Sequence, residues 1–493
     1  MTLLYPIPIV SLAIAALALW IVGRRTGGLK ALLAAGYCGV MITSFTGGAS
    51  GGVWLVEVFL VLVGLFVLWR RPLAAGRSRS ITFWTHALLV VFLVGIFVGL
   101  FRYDPTLQGL KAGSFASVAG VPLNWLMAGY RLAVLACIYL AFTIPLRYRI
   151  DHAALTQCLR LTWVFAVLLA VAGILDYVGV ADLAFTLSRE IGYERESLFG
   201  FHRGALGMLS VIGIFLSFAM TQATQSSLLK AAAYVSAPVL VVAMLLTWSR
   251  SAVVAMAVGA ISLVLTQGGP RALRGLVVTA FGGGIAFILL AQVPEVRERF
   301  MLGLSQSAAE GSAGRIPAWT ELVAWLLHRP DVLVTGCGFQ NFNYYVTVLS
   351  GANPLRGAHN SYLHVLTEFG LLGTAVYLAW LTALVRWLWS WRRSCPTAQQ
   401  RALIGTFLSL VMALMVGGIT LESLVPSRTF VPVFLYTLLI LGVLVSYCRT
   451  TAPTTDLWPR PARRWRVPSP AEHRPPAGAS VEMGRACCWV SFF

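Results

Sequence analysis

The feature that most constrains this chain is a series of long apolar runs. About thirteen stretches are long enough to cross a bilayer, which takes about 20 consecutive apolar residues. Hydrophobic residues make up 58% of the 493 residues and charged residues only 11%, whereas soluble proteins carry roughly 45–50% and 25%. The pattern excludes a soluble enzyme, a disordered protein and a secreted disulfide scaffold. It predicts an all-α polytopic membrane protein.

The apolar runs divide the chain into four segments. Residues 1–292 are predicted to hold about ten transmembrane helices, and residues 363–448 about three more. Between them, residues 293–362 form a long external loop in which we expect short amphipathic helices. Residues 449–493 are basic and rich in proline, which predicts a disordered cytoplasmic tail. The total is about 12–13 transmembrane helices, with the long helical loop before the last three. The centres of the runs lie near Ile14, Val40, Val61, Phe92, Val134, Leu168, Ile212, Val241, Ala257, Ala286, Val376, Met412 and Leu438.

The distribution of basic residues predicts the orientation of the chain in the membrane. The chain has 37 Lys and Arg against 18 Asp and Glu, a net charge of +19. In a soluble protein this balance would indicate nucleic acid, but here most basic residues fall in loops on one side of the spans. Because cytoplasmic loops collect Lys and Arg, that side is predicted to be cytoplasmic. Nucleic acid is therefore not expected as a partner, whereas the basic tail favours anionic membrane lipid.

Three arginines lie where an apolar environment makes them costly. Arg131 falls well within the fifth span, Arg203 begins the seventh, and Arg250 occupies an external turn between two apolar helices. An arginine at the bilayer centre costs about 2.5–3.5 kcal/mol on insertion scales, so such residues normally face a cavity or a partner. Snorkelling could account for Arg203, and pairing with Glu57 or Asp176 for Arg131. Arginines that converge on one external cavity would suit a diphosphate, because guanidinium binds phosphate through paired donors.

The long external loop is predicted to be structured and to end at a histidine. In Arg315–Trp319, Pro317 stands just inside a helix start, and apolar residues follow at helical spacing. Gly336-Cys337-Gly338 is expected to end that helix, and Asn341–Leu349 to form another short one. His359 then lies where the chain re-enters the membrane. The sequence has no CxxC or HExxH spacing, so no metal site is expected.

Three motifs occur in order across this part of the chain and share an external or interfacial position. They are Trp248-Ser249-Arg250-Ser251-Ala252; Gly314-Arg315 with Trp319 and Gly336-Cys337-Gly338-Phe339; and His359-Asn360-Ser361-Tyr362-Leu363 with Glu368-Phe369-Gly370-Leu371-Leu372-Gly373. Together with the long loop before the late spans, they resemble the hallmarks of the O-antigen ligase/polymerase superfamily. The resemblance covers roughly Gly200–Val445, whereas the first third of the chain matches only as generic membrane helices.

The resemblance implies a membrane glycosyltransferase that needs no cofactor or metal. Superfamily members use glycans carried on undecaprenyl diphosphate: ligases move a finished O-antigen to lipid A-core, polymerases join repeat units, and O-oligosaccharyltransferases modify protein hydroxyls. We expect O-antigen ligation to lipid A-core, with inversion, at the periplasmic face of the bacterial inner membrane. The alternative is a polysaccharide polymerase, with a growing glycan as acceptor, or an O-oligosaccharyltransferase. A multispan transporter or flippase is the alternative from another class, but the paired, interrupted spans typical of transporters are not recognisable.

The resemblance also implies roles for individual residues. His359 corresponds to an essential loop histidine and would act as the base, since imidazole has a suitable pKa. Arg250 and Arg203 correspond to essential external arginines and would stabilise the diphosphate. The alternatives are an interfacial His359 bonded to its own loop and a Glu368 paired with an arginine. The predicted catalytic residues are His359, Arg250 and Arg203, and the predicted substrate-binding residues are Arg315, Asn360, Tyr362, Glu368 and Arg131.

Overall fold

A computed structural model describes residues 79–102, 117–118, 121–178, 203–247, 249–267, 270–294, 296–298, 301, 312–339, 341–342, 358–426 and 431–451. Within these residues the regular secondary structure is helical apart from two short strands, β1 (Ser117–Val118) and β2 (Val121–Pro122), which pair antiparallel. A 3₁₀ turn covers Pro145–Arg147. The α-helices are α1 (Arg79–Phe101), α2 (Leu123–Thr143), α3 (His152–Tyr177), α4 (Arg203–Ala223), α5 (Ser227–Leu246), α6 (Arg250–Gln267), α7 (Pro270–Leu290), α8 (Ser312–His328), α9 (Pro330–Thr335), α10 (Ser361–Ser394), α11 (Ala398–Thr420) and α12 (Val431–Thr451).

The predicted fold class, an all-α polytopic membrane protein, is confirmed. Nine helices among the described residues are long and apolar enough to cross a membrane. Each of the ten predicted run centres from Phe92 to Leu438 falls inside a helix. The centres at Ile14, Val40 and Val61 lie outside the described residues, as does the tail beyond Thr451, so the total of 12–13 spans stays a prediction.

Helix α4 lies at the centre of the described bundle. It packs against α3, α5 and α11. In its apolar segment 94% of the residues are buried, whereas in that of the peripheral α7 only 11% are. Small residues allow the close approach of the helices. A methyl group added at Gly259 of α6 would come within 2.4 Å of Phe215 on α4 and 2.8 Å of Ala413 on α11. The three helices that carry or adjoin the first motif are therefore held tightly together.

The part of the long loop before Gly336 contains two helices, where the sequence predicted one continuous helix. Helix α8 begins at Ser312, so Pro317 lies in its second turn rather than just inside its start. It ends at His328 because Arg329 precedes a proline, which disfavours helical backbone, and Arg329 has φ −124° and ψ 71°. The prediction that this helix would extend to Gly336 was wrong, and α9 ends there instead. The short helix predicted over Asn341–Leu349 lies mostly outside the described residues.

Candidate functional site

The third motif forms the point at which the chain enters α10. His359 has a φ of +45°, a left-handed conformation that residues other than glycine rarely adopt. Its backbone N–H donates to Oε1 of Glu422 over 3.2 Å, and its side chain is half-buried. Strained backbone of this kind persists only where the surrounding structure holds it in place, and it is concentrated at functional sites.

The next three residues attach the start of α10 to α11 and to the segment that follows it. Asn360 caps α10, since its side-chain oxygen accepts two backbone N–H groups of the first turn at 2.9 and 3.0 Å. Ser361 donates its N–H and its hydroxyl to the carbonyl of Leu421, each over 3.0 Å. Tyr362 donates its hydroxyl to the carbonyl of Met415 over 3.0 Å. The Asn360 and Tyr362 side chains therefore both have structural partners.

Arg250 begins α6 at the same end of the bundle as His359. The hydroxyl of its neighbour, Ser251, donates to the carbonyl of Thr420 over 3.5 Å. The next residue along, Leu421, is the one to which Ser361 is bonded. The starts of α6 and α10 are therefore joined through two consecutive residues at the end of α11. Arg250 itself is exposed at this junction.

The start of α4 lies in the same region. Arg203 is the first residue of α4, and the structure describes its backbone. One turn further, a methyl group added at Gly207 would come within 2.9 Å of Oγ1 of Thr247 and 3.0 Å of Cβ of Ser249, in the turn before α6. Three helices, α4, α6 and α10, thus begin at one end of the bundle. Helix N-termini carry partial positive charge and free N–H groups, which attract anions.

Helix α10 is interrupted where the second motif docks against it. Gly370 has φ +65° and ψ −169°, so the helix stops and restarts at this residue. Next to the break, the carbonyl of Thr367 accepts the N–H of Cys337 over 2.8 Å, and the carbonyl of Glu368 accepts the N–H of Gly338 over 2.9 Å. The second motif is therefore hydrogen-bonded into a break in the helix that carries the third.

A buried cluster of one imidazole and two carboxylates lies beside His359. Nε2 of His364 is 3.2 Å from Oε1 of Glu368, and Nδ1 of His364 is 3.4 Å from Oε1 of Glu422. Glu368, which is 0% exposed, also accepts the backbone N–H of Phe342 over 3.2 Å. The cluster links the long loop between α7 and α10, the start of α10 and the segment after α11.

Arg131 is buried on α2, where it contacts the second motif's loop. Its Nη2 donates to Oδ1 of Asn341 over 2.6 Å, and the Asn341 amide donates to two backbone carbonyls, one of them that of Cys337 at 3.0 Å. Arg131 therefore fastens this loop to the bundle. The pairings with Glu57 and Asp176 involve side chains outside the described part of the chain.

Arg315 lies on α8, and the structure describes its backbone. One turn further along α8, Nε1 of Trp319 donates to the carbonyl of Ala358 over 2.8 Å. Ala358 is buried and immediately precedes His359. The helix that carries Arg315 is thereby attached to the chain that leads into the third motif.

Residues 235–378 match the family model described as O-antigen ligase. The predicted resemblance to the O-antigen ligase/polymerase superfamily is thereby confirmed. The matched segment of this O-antigen ligase-like chain includes Arg250, Arg315, His359 and Glu368, whereas Arg131 and Arg203 precede it. Among curated proteins, none matches the chain.

Two residues of this candidate site were not predicted from the sequence. His364 and Glu422 form the cluster with Glu368. The four-residue spacing of His364 and Glu368 on one helix is a signal that could have identified that pair. Glu422 is 63 residues from His359 along the chain, and no local pattern marks it.

The thiol of the second motif is a structural rather than a reactive group. Cys337 is 0% exposed, and burial raises the pKa of its thiol well above the usual value. Because the thiolate is the nucleophilic form, covalent chemistry at Cys337 is disfavoured. Within the described ranges, no group of three His, Cys, Asp or Glu side chains, the His364 cluster included, is placed so that it could hold a metal ion.

Proposed function

We propose that this protein transfers a glycan from undecaprenyl diphosphate to an acceptor hydroxyl. The proposed acceptor is lipid A-core, so the proposed reaction is O-antigen ligation at the periplasmic face of the bacterial inner membrane. The O-antigen ligase match supports the superfamily and a membrane enzyme of this kind. In addition to the family match, we propose the donor, the acceptor and the residue roles.

One observation supports this proposal most directly: Arg250 and His359 lie at the same end of the bundle, where three helices begin. The bonds of Ser251 to Thr420 and of Ser361 to Leu421 bring their two segments together. A diphosphate placed at this end would meet a guanidinium and the positive ends of helices. His359 would lie nearby, where it could take the proton of the acceptor hydroxyl.

The proposed reaction is a single displacement at the first sugar carbon. Nε2 or Nδ1 of His359 takes the proton from the acceptor hydroxyl, and the oxygen attacks C1 as the bond from C1 to the diphosphate oxygen breaks. The diphosphate leaves with the bonding electrons, and Arg250 and Arg203 stabilise the charge that develops on it. Attack from the face opposite the leaving group inverts the anomeric centre. Arg315 is proposed as a further contact to the diphosphate.

The acceptor distinguishes the ligase from the polymerase and the O-oligosaccharyltransferase, because all three use the same donor. The test supplies the purified protein with labelled, lipid-linked glycan and one acceptor at a time: lipid A-core, a second lipid-linked repeat unit, or a hydroxyl-bearing peptide. Labelled lipid A-core supports ligation. A longer lipid-linked glycan would indicate a polymerase, and a labelled peptide would indicate an O-oligosaccharyltransferase. The absence of product with every acceptor would reject glycosyl transfer.

Replacing Arg250 with lysine is expected to weaken donor binding and transfer by about 10- to 100-fold. A lysine keeps the charge but cannot make the two parallel bonds of a guanidinium, and a hydrogen bond to a charged group contributes about 1.5–3 kcal/mol. Donor affinity is measured by titrating the lipid diphosphate into the purified protein. Arg274→Lys, on the exposed surface of α7, is the matched control. Unchanged donor affinity in Arg250→Lys would contradict the diphosphate role.

A further inference from the structure

The buried histidine next to the proposed base has no role in the reaction described above. His364 is 4% exposed, and it lies between two carboxyl groups that are themselves 0% and 6% exposed, Glu368 and Glu422. Both of its ring nitrogens face a carboxylate oxygen, at 3.2 and 3.4 Å. An imidazole with N–H on both nitrogens has one donor for each of the two carboxylates. Burial of carboxylates in such a site requires partners of this kind.

Each carboxylate of this cluster also holds a backbone N–H from a different segment. Oε1 of Glu422 accepts the N–H of His359 over 3.2 Å. Oε1 of Glu368 accepts the N–H of Phe342, also over 3.2 Å, and the Phe342 ring stacks on the His364 imidazole with centroids 5.1 Å apart. The imidazole therefore stands between the loop of the second motif and the residue with the left-handed backbone.

The left-handed conformation of His359 needs an external constraint. L-residues reach a φ of +45° only at a cost, so contacts from the surroundings must compensate. The bond from the His359 N–H to Glu422 is one such contact, and the orientation of the Glu422 carboxylate depends in turn on its contact with His364. Loss of the His364 imidazole removes the group between the two carboxylates, and with it one of the contacts that orient Glu422 toward His359.

We propose that His364 is a positioning residue that holds His359 in place through Glu422. It touches neither donor nor acceptor, and its effect on transfer is exerted through the orientation of the Glu422 carboxylate. The catalytic consequence of this positioning rests on the proposed function. The structural consequence, the fixed placement of His359, does not, and it can be measured without any substrate.

The substrate-free test follows the rate at which diethyl pyrocarbonate modifies His359 in the full-length protein, mapped by mass spectrometry. In His364→Gln we expect a rate at least threefold higher than in the wild type, because the segment before Ser361 loosens. The exposed His328 serves as the internal reference. The matched control is His152→Gln, since His152 bonds to Ala223 at the far end of α4. An unchanged His359 rate in His364→Gln would overturn the proposal.

A second variant covers the case in which His364→Gln does not fold. Glu422→Ala leaves His364 in place but removes the link to His359, so it should raise the His359 modification rate by a similar factor. Wild-type reactivity of His359 in Glu422→Ala would overturn the proposal as well.

Transfer kinetics provide the third measurement. His364→Gln should lower kcat at least tenfold and change KM for the lipid-linked donor less than twofold, because Arg250 is not affected. In the Glu422→Ala background, the same substitution should lower kcat no more than twofold further, since residues acting through one contact are not additive. Multiplied losses in the double variant would overturn action through Glu422. If the wild type transfers nothing while His359 reactivity still rises in His364→Gln, the proposed function fails and the positioning role stands.

Discussion

Replacement of His359 with alanine or asparagine is expected to lower the transfer rate by about 100- to 10,000-fold, the usual contribution of a general base. Neither side chain can take the proton of the acceptor hydroxyl. Asparagine is the more informative variant, because it tolerates the left-handed backbone that His359 adopts with φ +45°. The protein should still insert into the membrane and bind the lipid-linked donor, since Arg250 is unchanged.

The measurement pairs a transfer rate with a donor affinity for each variant of His359. His328→Ala is the control, because His328 is exposed at the end of α8 and its Nδ1 bonds locally to the carbonyl of Ala324. Wild-type transfer by His359→Asn would show that another group takes the proton. Loss of both donor binding and transfer would instead indicate that His359 binds the donor and does not act as the base.

The sequence predicts the helices well, because their signal is local. A run of apolar residues long enough for a bilayer marks a helix wherever it occurs. A turn before Arg250 is predicted because one helix over Ala231–Thr266 would be about 54 Å long, which exceeds the bilayer. The end of α8 at His328 was not predicted, although Arg329 precedes Pro330 and a residue before proline disfavours helical backbone.

Motifs in the sequence mark His359 and Arg250 as candidate site residues, and these roles stay predictions. Nothing local showed that Thr420 and Leu421 would join their two segments. Glu422 was missed for the same reason, since its contact with His359 is made by the packing of distant helices. A hydrogen bond between residues far apart in sequence leaves no period or spacing to detect.

The break in α10 bears on the transporter alternative. Discontinuous helices in transporters expose backbone groups that bind substrate or ions. Here the carbonyls of Thr367 and Glu368, beside the break at Gly370, already accept the N–H groups of Cys337 and Gly338. The interruption therefore anchors the loop that contains Cys337 and Gly338, which favours a rigid site over an ion pathway.

Replacement of Gly370 with alanine is expected to prevent the folding of this part of the bundle. The conformation of Gly370, φ +65° and ψ −169°, is open almost only to glycine and costs other residues about 1–3 kcal/mol. In addition, the new methyl group would come within 2.2 Å of the Val334 carbonyl oxygen. This contact is with backbone, so no side-chain rotation relieves it, and α9 would have to move away from α10.

Displacement of α9 would break the hydrogen bonds from Cys337 and Gly338 to α10. Because Gly338 bonds to the carbonyl of Glu368, the cluster around Glu368 would be disturbed as well. We expect little monodisperse protein after detergent extraction of Gly370→Ala, and a lowered unfolding temperature and no transfer in what remains. Gly284→Ala on α7 is the matched control, because a methyl group there meets nothing within 4 Å and alanine favours a helix by about 0.8–1 kcal/mol over glycine. Equal yield, unfolding temperature and transfer in the two variants would contradict the anchoring role of the break, since only the Gly370 methyl group meets the backbone of a neighbouring element.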